Sequence, residues 1–542
     1  MRFGGVFCAV MATLLVAAVN TTAPVGFSDV AGKAGMRFVL ENSPTPTKFM
    51  IETMPGGIAV FDYNGDGRPD IYFTNGASVP ALDKESPKFW NRLYRNDGNM
   101  HFTDVTDQAG VAGKGYSMGV AAGDYDNDGH PDIFVAGVNH NTLYHNRGDG
   151  TFEDVTENAG IRSGQWAVAA GWLDYDNDGK LDLMIVHYSS TPMQDRFCGN
   201  REKGIRIYCH PKYFDPLPAV LYHNRGDGTF EDVSKKSGLV QYAGRGMSIA
   251  FADYDSDGFI DAFVTNDNMP NFLFHNRGNG TFEEVALLAG VALPDRGAPV
   301  SSMGADFRDY DNDGLPDISV TALAGETFPL FRNIGKGMFT DATYASRMGP
   351  LSTGHSGWGN GFVDFNNDGW KDVFTANSHV NDRIEAFEPH VYREANSLLL
   401  NLGGKFSDGT PESLKGARKA HRGAAFGDFN GDGRMDVVVS SLGEPAELWE
   451  NTTPNAGNWV AFRLTGTKSN RDGIGARIRI GRQFNEMTSA VSYASSSLIP
   501  VHFGVGKAET LDDVEIRWPS GRVQRLSHVP VNRVIDVKEP ER

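Results

Sequence analysis

Three cysteines in 542 residues are too few for a disulfide-stapled scaffold. Positive charge is also short: 50 Lys and Arg stand against 68 Asp and Glu, a formal net charge of -18 at pH 7. That balance argues against nucleic acid or an anionic membrane surface as the main partner. Past the first twenty residues no long apolar run remains, so the mature chain has no segment for a stable membrane span. Glycine, by contrast, is plentiful at 64 residues, which points to many turns and short strands. The length itself exceeds one ordinary hydrophobic core and calls for several domains or a repeat architecture.

The N-terminus reads as an export signal over residues 1–23. Arg2 precedes an apolar run from Val6 to Val19, and Ala17 and Ala18 offer a cleavage point. A retained membrane anchor is the alternative. Cys8 lies early in the run, which argues against a lipoprotein cleavage site. The mature chain is therefore expected in the periplasm, at the cell surface or secreted. The even remaining count, Cys198 and Cys209, favours one disulfide closing the short loop CGNREKGIRIYC over two free thiols. Without paired histidines the two make a poor zinc site.

One pattern recurs seven times: Asp-aromatic-Asp/Asn-x-Asp-Gly-x-x-Asp. The side chains at positions 1, 3, 5 and 9 are Asp62, Asn64, Asp66 and Asp70; Asp124, Asp126, Asp128 and Asp132; Asp174, Asp176, Asp178 and Asp182; Asp253, Asp255, Asp257 and Asp261; Asp309, Asp311, Asp313 and Asp317; Asp364, Asn366, Asp368 and Asp372; Asp428, Asn430, Asp432 and Asp436. Small and apolar residues precede each loop, as in SMGVAAG, and a β-branched run follows, as in IFVAG. A third segment such as NTLYHNRGDG and a fourth such as TFEDVT complete the unit. Four short strands per repeat is the blade pattern of a β-propeller. The fourth-strand signature follows six of the loops and is missing after the seventh, while an extra copy, GFSDVAGKAG, lies at the N-terminus around Phe27. The expectation is an all-β, seven-bladed propeller over residues 24–453, closed by its N-terminal strand so that no sheet edge is left open.

Alternate oxygen side chains in a tight loop turn inward, and clustered carboxylates repel unless a cation sits among them. Hard oxygen donors in a flexible cage suit calcium, with position 7 supplying a carbonyl and the glycine at position 6 permitting the turn. The loops are not EF-hands, because position 12 holds Phe73, Val135, Ile185, Val264, Val320, Thr375 and Val439 where an EF-hand needs Glu. Up to seven structural Ca²⁺ ions are expected, and they would offset most of the net negative charge.

The repeats resemble the FG-GAP/VCBS repeats of integrin α-subunit propellers and bacterial surface proteins. The stretch NWVAFRLTGTKSNRDGIGARIRI, with HFGVG and DDVEIRWPSGRVQRL, resembles the ASPIC/UnbV domain. The combination is similar to bacterial relatives of cartilage acidic protein. Animal members carry an EGF-like module, for which this chain lacks the cysteines. The resemblance implies an exported calcium-binding protein. Read from the residues alone, 454–542 is a small β-sandwich-like unit, since VAFRL, ARIRI, VHFGV, VEIRW and RVIDV alternate at period two. Arg471 and Asp472 in SNRDG read first as turn residues, with a site as the alternative.

Other features compete for function. Two RGD tripeptides, at Arg147–Asp149 and Arg225–Asp227, sit in hairpin turns whose sibling reads RGN, and turn chemistry accounts for them. An insertion at 188–218 holds the cysteine pair and several aromatics, either as a recognition loop or as a cap. Arg245, His355, Trp358, His379 and His421 fall where the innermost strands begin or the second strands end, and are candidates for a polar, aromatic ligand pocket. The favoured reading is a binding or adhesion module for a protein or glycan. The alternative is a carbohydrate lyase or hydrolase with its site at the axis, for which His355, His379 and His421 are the acid–base candidates. No catalytic set is evident.

Overall fold

The structure, a computed structural model, describes residues 24–162 and 164–541. The expected export signal lies outside the described residues. The chain is all-β, and its pairings resolve into seven four-stranded antiparallel sheets. Their first strands are Ile58–Phe61, Tyr116–Gly123, Trp166–Leu173, Gly246–Ala252, Ala305–Arg308, Gly357–Val363 and His421–Gly427. Each packs against the next, and His421–Gly427 packs back on Ile58–Phe61, so the sheets form a closed ring with these strands innermost. The last sheet takes its outer strand from the N-terminus: Phe27 pairs with Asn451 and Asp29 with Trp449. This is a β-propeller, and the first strands are small and apolar because they crowd toward one axis.

The C-terminal residues build two larger sheets and a short pair, Thr510–Leu511 with Val529–Pro530. Asn458–Thr465 lies between Val501–Gly506 and Arg533–Lys538, and Gln483–Glu486, Arg477–Ile480, Val514–Arg517 and Val523–Leu526 form the other. Val460, Phe462, Ile478, Phe503, Ile516 and Trp518 are buried in the same core cluster. The two sheets sit on the propeller face that carries the acidic loops. Arg471 N donates to Asn127 Oδ1 (2.7 Å), Asp124 N to Asp472 Oδ2 (2.8 Å), and Gly506 N to Asn367 O (2.9 Å), while Arg477 Nη1 lies 3.2 Å from Asp253 Oδ2. Arg471 and Asp472 are thus docking residues and not merely a turn.

Between these sheets, residues 487–500 leave the C-terminal unit and enter the propeller axis. Ser495–Leu498 pairs in parallel with Ile58–Phe61, and Ala490–Val491 pairs back on it. The serines of this segment satisfy backbone groups around the ring. Ile58 N donates to Ser495 Oγ, Ala122 N to Ser496 Oγ, Phe426 N to Ser497 Oγ and Asn360 N to Ser492 Oγ, all between 3.0 and 3.2 Å. Ser492 N donates to Ala305 O (3.0 Å) and Val120 N to Ala494 O (3.1 Å). At the tip, Tyr493 is fully buried and donates to Met54 O at 2.8 Å.

The ring makes room for this plug with small residues five positions before each acidic loop: Gly57, Gly119, Ala169, Ser248, Gly304, Gly359 and Gly423. A Cβ on Gly423 would lie 2.1 Å from Gly56 O and 2.9 Å from Ser495 Oγ, and one on Gly359 would lie 2.6 Å from Ala424 N and 2.9 Å from Ser492 Oγ, closer than packing allows against both the neighbouring sheet and the plug. Gly423→Val is therefore expected to destabilise the chain by about 1–3 kcal/mol through overpacking, and Tyr493→Ala by about 3 kcal/mol through the cavity it leaves. Urea unfolding of both variants checks this, and wild-type midpoints would contradict an axis filled by the C-terminal segment.

Candidate functional site

Each acidic loop joins the first strand of a sheet to the second, and its last Asp is the first residue of that second strand. The backbone aims these side chains. In the first loop, Asp62 accepts Asp66 N (3.1 Å) and Gly67 N (2.7 Å), and Asp66 Oδ1 accepts Arg68 N (2.9 Å). The same contacts recur around the ring, for example Asp174 with Asp178 N and Gly179 N, both at 3.0 Å. Position 4 carries positive φ in every loop, at Gly65, Asn127, Asn177, Ser256, Asn312, Asn367 and Gly431. Glycine, asparagine and serine at that place let the loop curl on itself.

The fully buried Asp at position 9 does a second job. Its Oδ2 accepts the N–H of the aromatic residue at position 2, and its Oδ1 accepts the N–H of an asparagine ending the third strand, as at Asn146 (2.8 Å) and Asn333 (2.7 Å). The amide of that asparagine crosses to the preceding sheet and donates to the carbonyl of its position-2 aromatic. The donors and acceptors are Asn96 to Phe429, Asn146 to Tyr63, Asn224 to Tyr125, Asn276 to Tyr175, Asn333 to Tyr254, Asn401 to Tyr310 and Asn451 to Phe365. All seven joints between sheets carry the same bond. The sequence reading did not single out these asparagines, although one stands at or near the end of the third strand in every repeat.

The loops gather acid oxygens close enough to share an ion, as in Asp124, Asp126 and Asp128, and in Asp174, Asp176 and Asp178. Burial pushes Asp70, Asp124 and Asp174 up to about 8, and the neighbouring carboxylates add to the shift. Asp176 Oδ1, Asp253 Oδ1 and Asp311 Oδ1 are buried without a hydrogen-bond partner. Orphaned buried oxygens and repelling carboxylates fit a hard divalent cation. The loops differ in the charge set beside them. Three have a histidine from the third strand: His145, His223 and His275 place Nδ1 3.1–3.3 Å from Asp132, Asp182 and Asp261. In the fifth loop, Arg332 reaches Asp311 and Asp313 (2.8 Å) instead. These residues too went unremarked in the sequence, where each is the residue just before the conserved-in-repeat asparagine.

On the opposite face, a cavity of about 390 Å³ opens over the tip of the plug. Its walls include Met54, Trp358, His379, Asp267 and Glu326. The insertion forms one rim through Ile207–Pro211, and residues 379–388 form the other. Tyr208 ties the rims, its N–H donating to Asn381 Oδ1 (2.9 Å) and its hydroxyl to Glu52 Oε2 (3.1 Å). Cys198 and Cys209 form a disulfide that closes the insertion loop.

Of the candidate ligand residues, Trp358 and His379 line this cavity. Burial lowers His379 to about 4, and its Nδ1 accepts Asn381 N (3.0 Å), so it is a neutral acceptor near neutral pH. Arg245, His355 and His421 do not line it. Arg245 donates to Phe214 O (2.8 Å), and His355 sits 3.3 Å from Glu394. His421 is fully buried between Asn377 O (3.0 Å) and Glu447 Oε2 (3.1 Å), because the strand His421–Gly427 turns it into the sheet and away from the mouth. Both RGD turns are internally engaged: Arg147 pairs with Glu153 (2.8 Å) and Arg225 with Glu231 (3.1 Å), while Asp149 and Asp227 each accept a threonine N–H at 3.0 Å.

Comparison with known proteins gives a consistent picture. The FG-GAP-like repeat matches residues 62–135, 124–185, 214–264, 253–320, 309–375 and 388–439, a further FG-GAP repeat matches 422–458, and the ASPIC and UnbV domain matches 466–542. Cartilage acidic protein 1 of Mus musculus is 28% identical over 349 residues, which cover 60% of this chain and 50% of that protein. The Homo sapiens protein is 27% identical over 347 residues, covering 60% and 48%. The chain thus spans about half the length of these relatives. Among solved structures, an Agrocybe aegerita lectin that recognises non-reducing terminal N-acetylglucosamine aligns at a TM-score of 0.40 and 17% identity, over 72% of this chain and 93% of that one. At that score the likeness carries no argument about ligand. Among the described residues no helix is long and apolar enough to cross a membrane.

The raised carboxylates set a pH dependence. Asp70, Asp124 and Asp174 hold protons in the folded, metal-free state up to about pH 8, whereas the unfolded chain releases them near pH 4. Their stabilising contribution is present below about pH 4 and is lost as pH rises toward 8. In excess chelator the melting temperature should therefore fall between about pH 5 and pH 8, and saturating divalent cation should flatten or reverse the slope. A chelated protein that grows more stable over that interval would contradict the account.

Proposed function

The chain belongs to the FG-GAP-like repeat family, with an ASPIC and UnbV domain at its C-terminus, and on that premise we propose that it is an exported, calcium-stabilised binding protein for an extracellular protein or glycan. The proposed units are an export signal over residues 1–23, a propeller over 24–453 interrupted by the insertion at 188–218, and a C-terminal domain over 454–542. Calcium would lie in the seven loops between the side chains at positions 1, 3, 5 and 9, as a structural ion that cancels carboxylate repulsion. Its chemistry there is to hold the loop closed, and no reaction step is asked of it.

The observation that carries the ligand site is the occupation of the other face. The C-terminal sheets sit on the acidic loops, and residues 487–500 fill the axis. On the opposite face, the cavity under the disulfide-closed insertion offers a concave, partly apolar place to bind, at a volume usual for such sites. Adhesion or recognition fits this arrangement better than catalysis. His421 is sealed, His355 lies off the cavity, and His379 is held neutral by burial.

Two measurements check the reading. Elemental analysis of the purified chain in calcium should find several ions per molecule, and chelation should lower the melting temperature steeply, since each site filled at a hundredfold over its Kd adds about 2.7 kcal/mol. Superimposable melting curves with calcium and chelator would refute the structural ion. On arrays of glycans and extracellular proteins, Ala324→Trp, which fills the cavity, should weaken any hit at least tenfold. Retention of binding by that variant would move the site elsewhere.

A further inference from the structure

Two carboxylates meet on the wall of this cavity from neighbouring sheets. Asp267 follows the strand Asp261–Asn266, and Glu326 precedes Leu330–Asn333. Ser301 stands between them: it pairs with Asp267 in an antiparallel bridge, and its N–H donates to Glu326 Oε2 at 2.9 Å. Leu323 N also donates to Glu326 Oε2 (3.2 Å), and the Tyr188 hydroxyl donates to Asp267 Oδ2 (2.9 Å). Both acids are thereby fixed in place. Among the described residues no lysine or arginine lines the cavity. Arg245 and Arg296 act on the pair only from outside its walls. Met50, Met54, Met247 and Met303 contribute thioethers to the wall, and Glu388 adds a third carboxylate.

We propose that this cavity binds an alkylammonium group on an aliphatic stem, the chemistry of a lysine side chain presented by a protein ligand. The proposal rests on the reading of the cavity as the binding site. Paired acids in apolar surroundings carry a desolvation cost that an entering ammonium offsets. Burial and the charge of Glu326 push Asp267 up to about 7, as expected of a carboxylate that lacks a facing cation. Methionine side chains adapt to a chain of methylenes. A volume of about 390 Å³ admits the side chain and the backbone that bears it.

The test titrates three probes into the full-length mature chain in calcium by calorimetry and saturation-transfer NMR: Nα-acetyl-lysine methylamide, its norleucine counterpart and glucosamine. The lysine probe should bind at least tenfold more tightly than either of the others. Asp267→Asn and Glu326→Gln, which keep the acceptors for Tyr188, Ser301 and Leu323, should each weaken it at least tenfold while melting curves stay near wild type. Equal binding of norleucine and lysine, both lost in Ala324→Trp, would overturn the ammonium assignment and leave the cavity as a binding site. Preferential binding of glucosamine would overturn the lysine chemistry in favour of an amino sugar. Binding of the lysine probe that survives Ala324→Trp would overturn the location itself.

Discussion

The ring stands on one hydrogen bond repeated seven times, from the third-strand asparagine to the aromatic carbonyl of the preceding acidic loop. The asparagine is itself held by the position-9 Asp, which also fastens the aromatic residue of its own loop. One side chain therefore ties loop geometry to sheet-to-sheet geometry. A cation held in the loop would draw on the same residues as the joint between sheets. Buried amide-to-carbonyl bonds are individually modest, but leaving either partner unmade inside a joint is costly. A ring of such joints has no weak member unless one repeat loses its asparagine.

Much of this was legible in the amino-acid order. Seven Asp-rich loops with β-branched runs behind them announce short strands in a repeat, and the extra TFEDV-like copy around Phe27 announces where the outer strand of the last sheet comes from. The structure pairs Phe27 with Asn451 in that role. The acidic positions were readable because the same spacing of oxygen side chains returns in every repeat. The seven asparagines were not read, because asparagine two residues ahead of a glycine, as in six of the seven, is ordinary turn chemistry, and the bond that matters spans some eighty or more residues in most joints.

The plug was harder still. SYASSSL carries no alternation that separates it from a polar loop, and its serines are buried only because the propeller axis supplies backbone donors from four sheets. The small residues five positions before each loop are the counterpart signal, but in a single sequence they read as the crowding expected of any innermost strand. The ligand candidates fared according to where they sat along their strands. Trp358 and His379 face the mouth, while His421, placed by the same logic, is turned into the sheet by its bonds to Asn377 and Glu447.

The last sheet joins residues near 28 to residues near 450, and the axis is filled only by residues 487–500. A chain emerging in order from its N-terminus cannot complete the circle until nearly all of it has been made. Its opening strand must wait, unpaired, for a partner more than four hundred residues away. Any shorter length of the growing polypeptide leaves one sheet edge bare and the axle of the wheel missing.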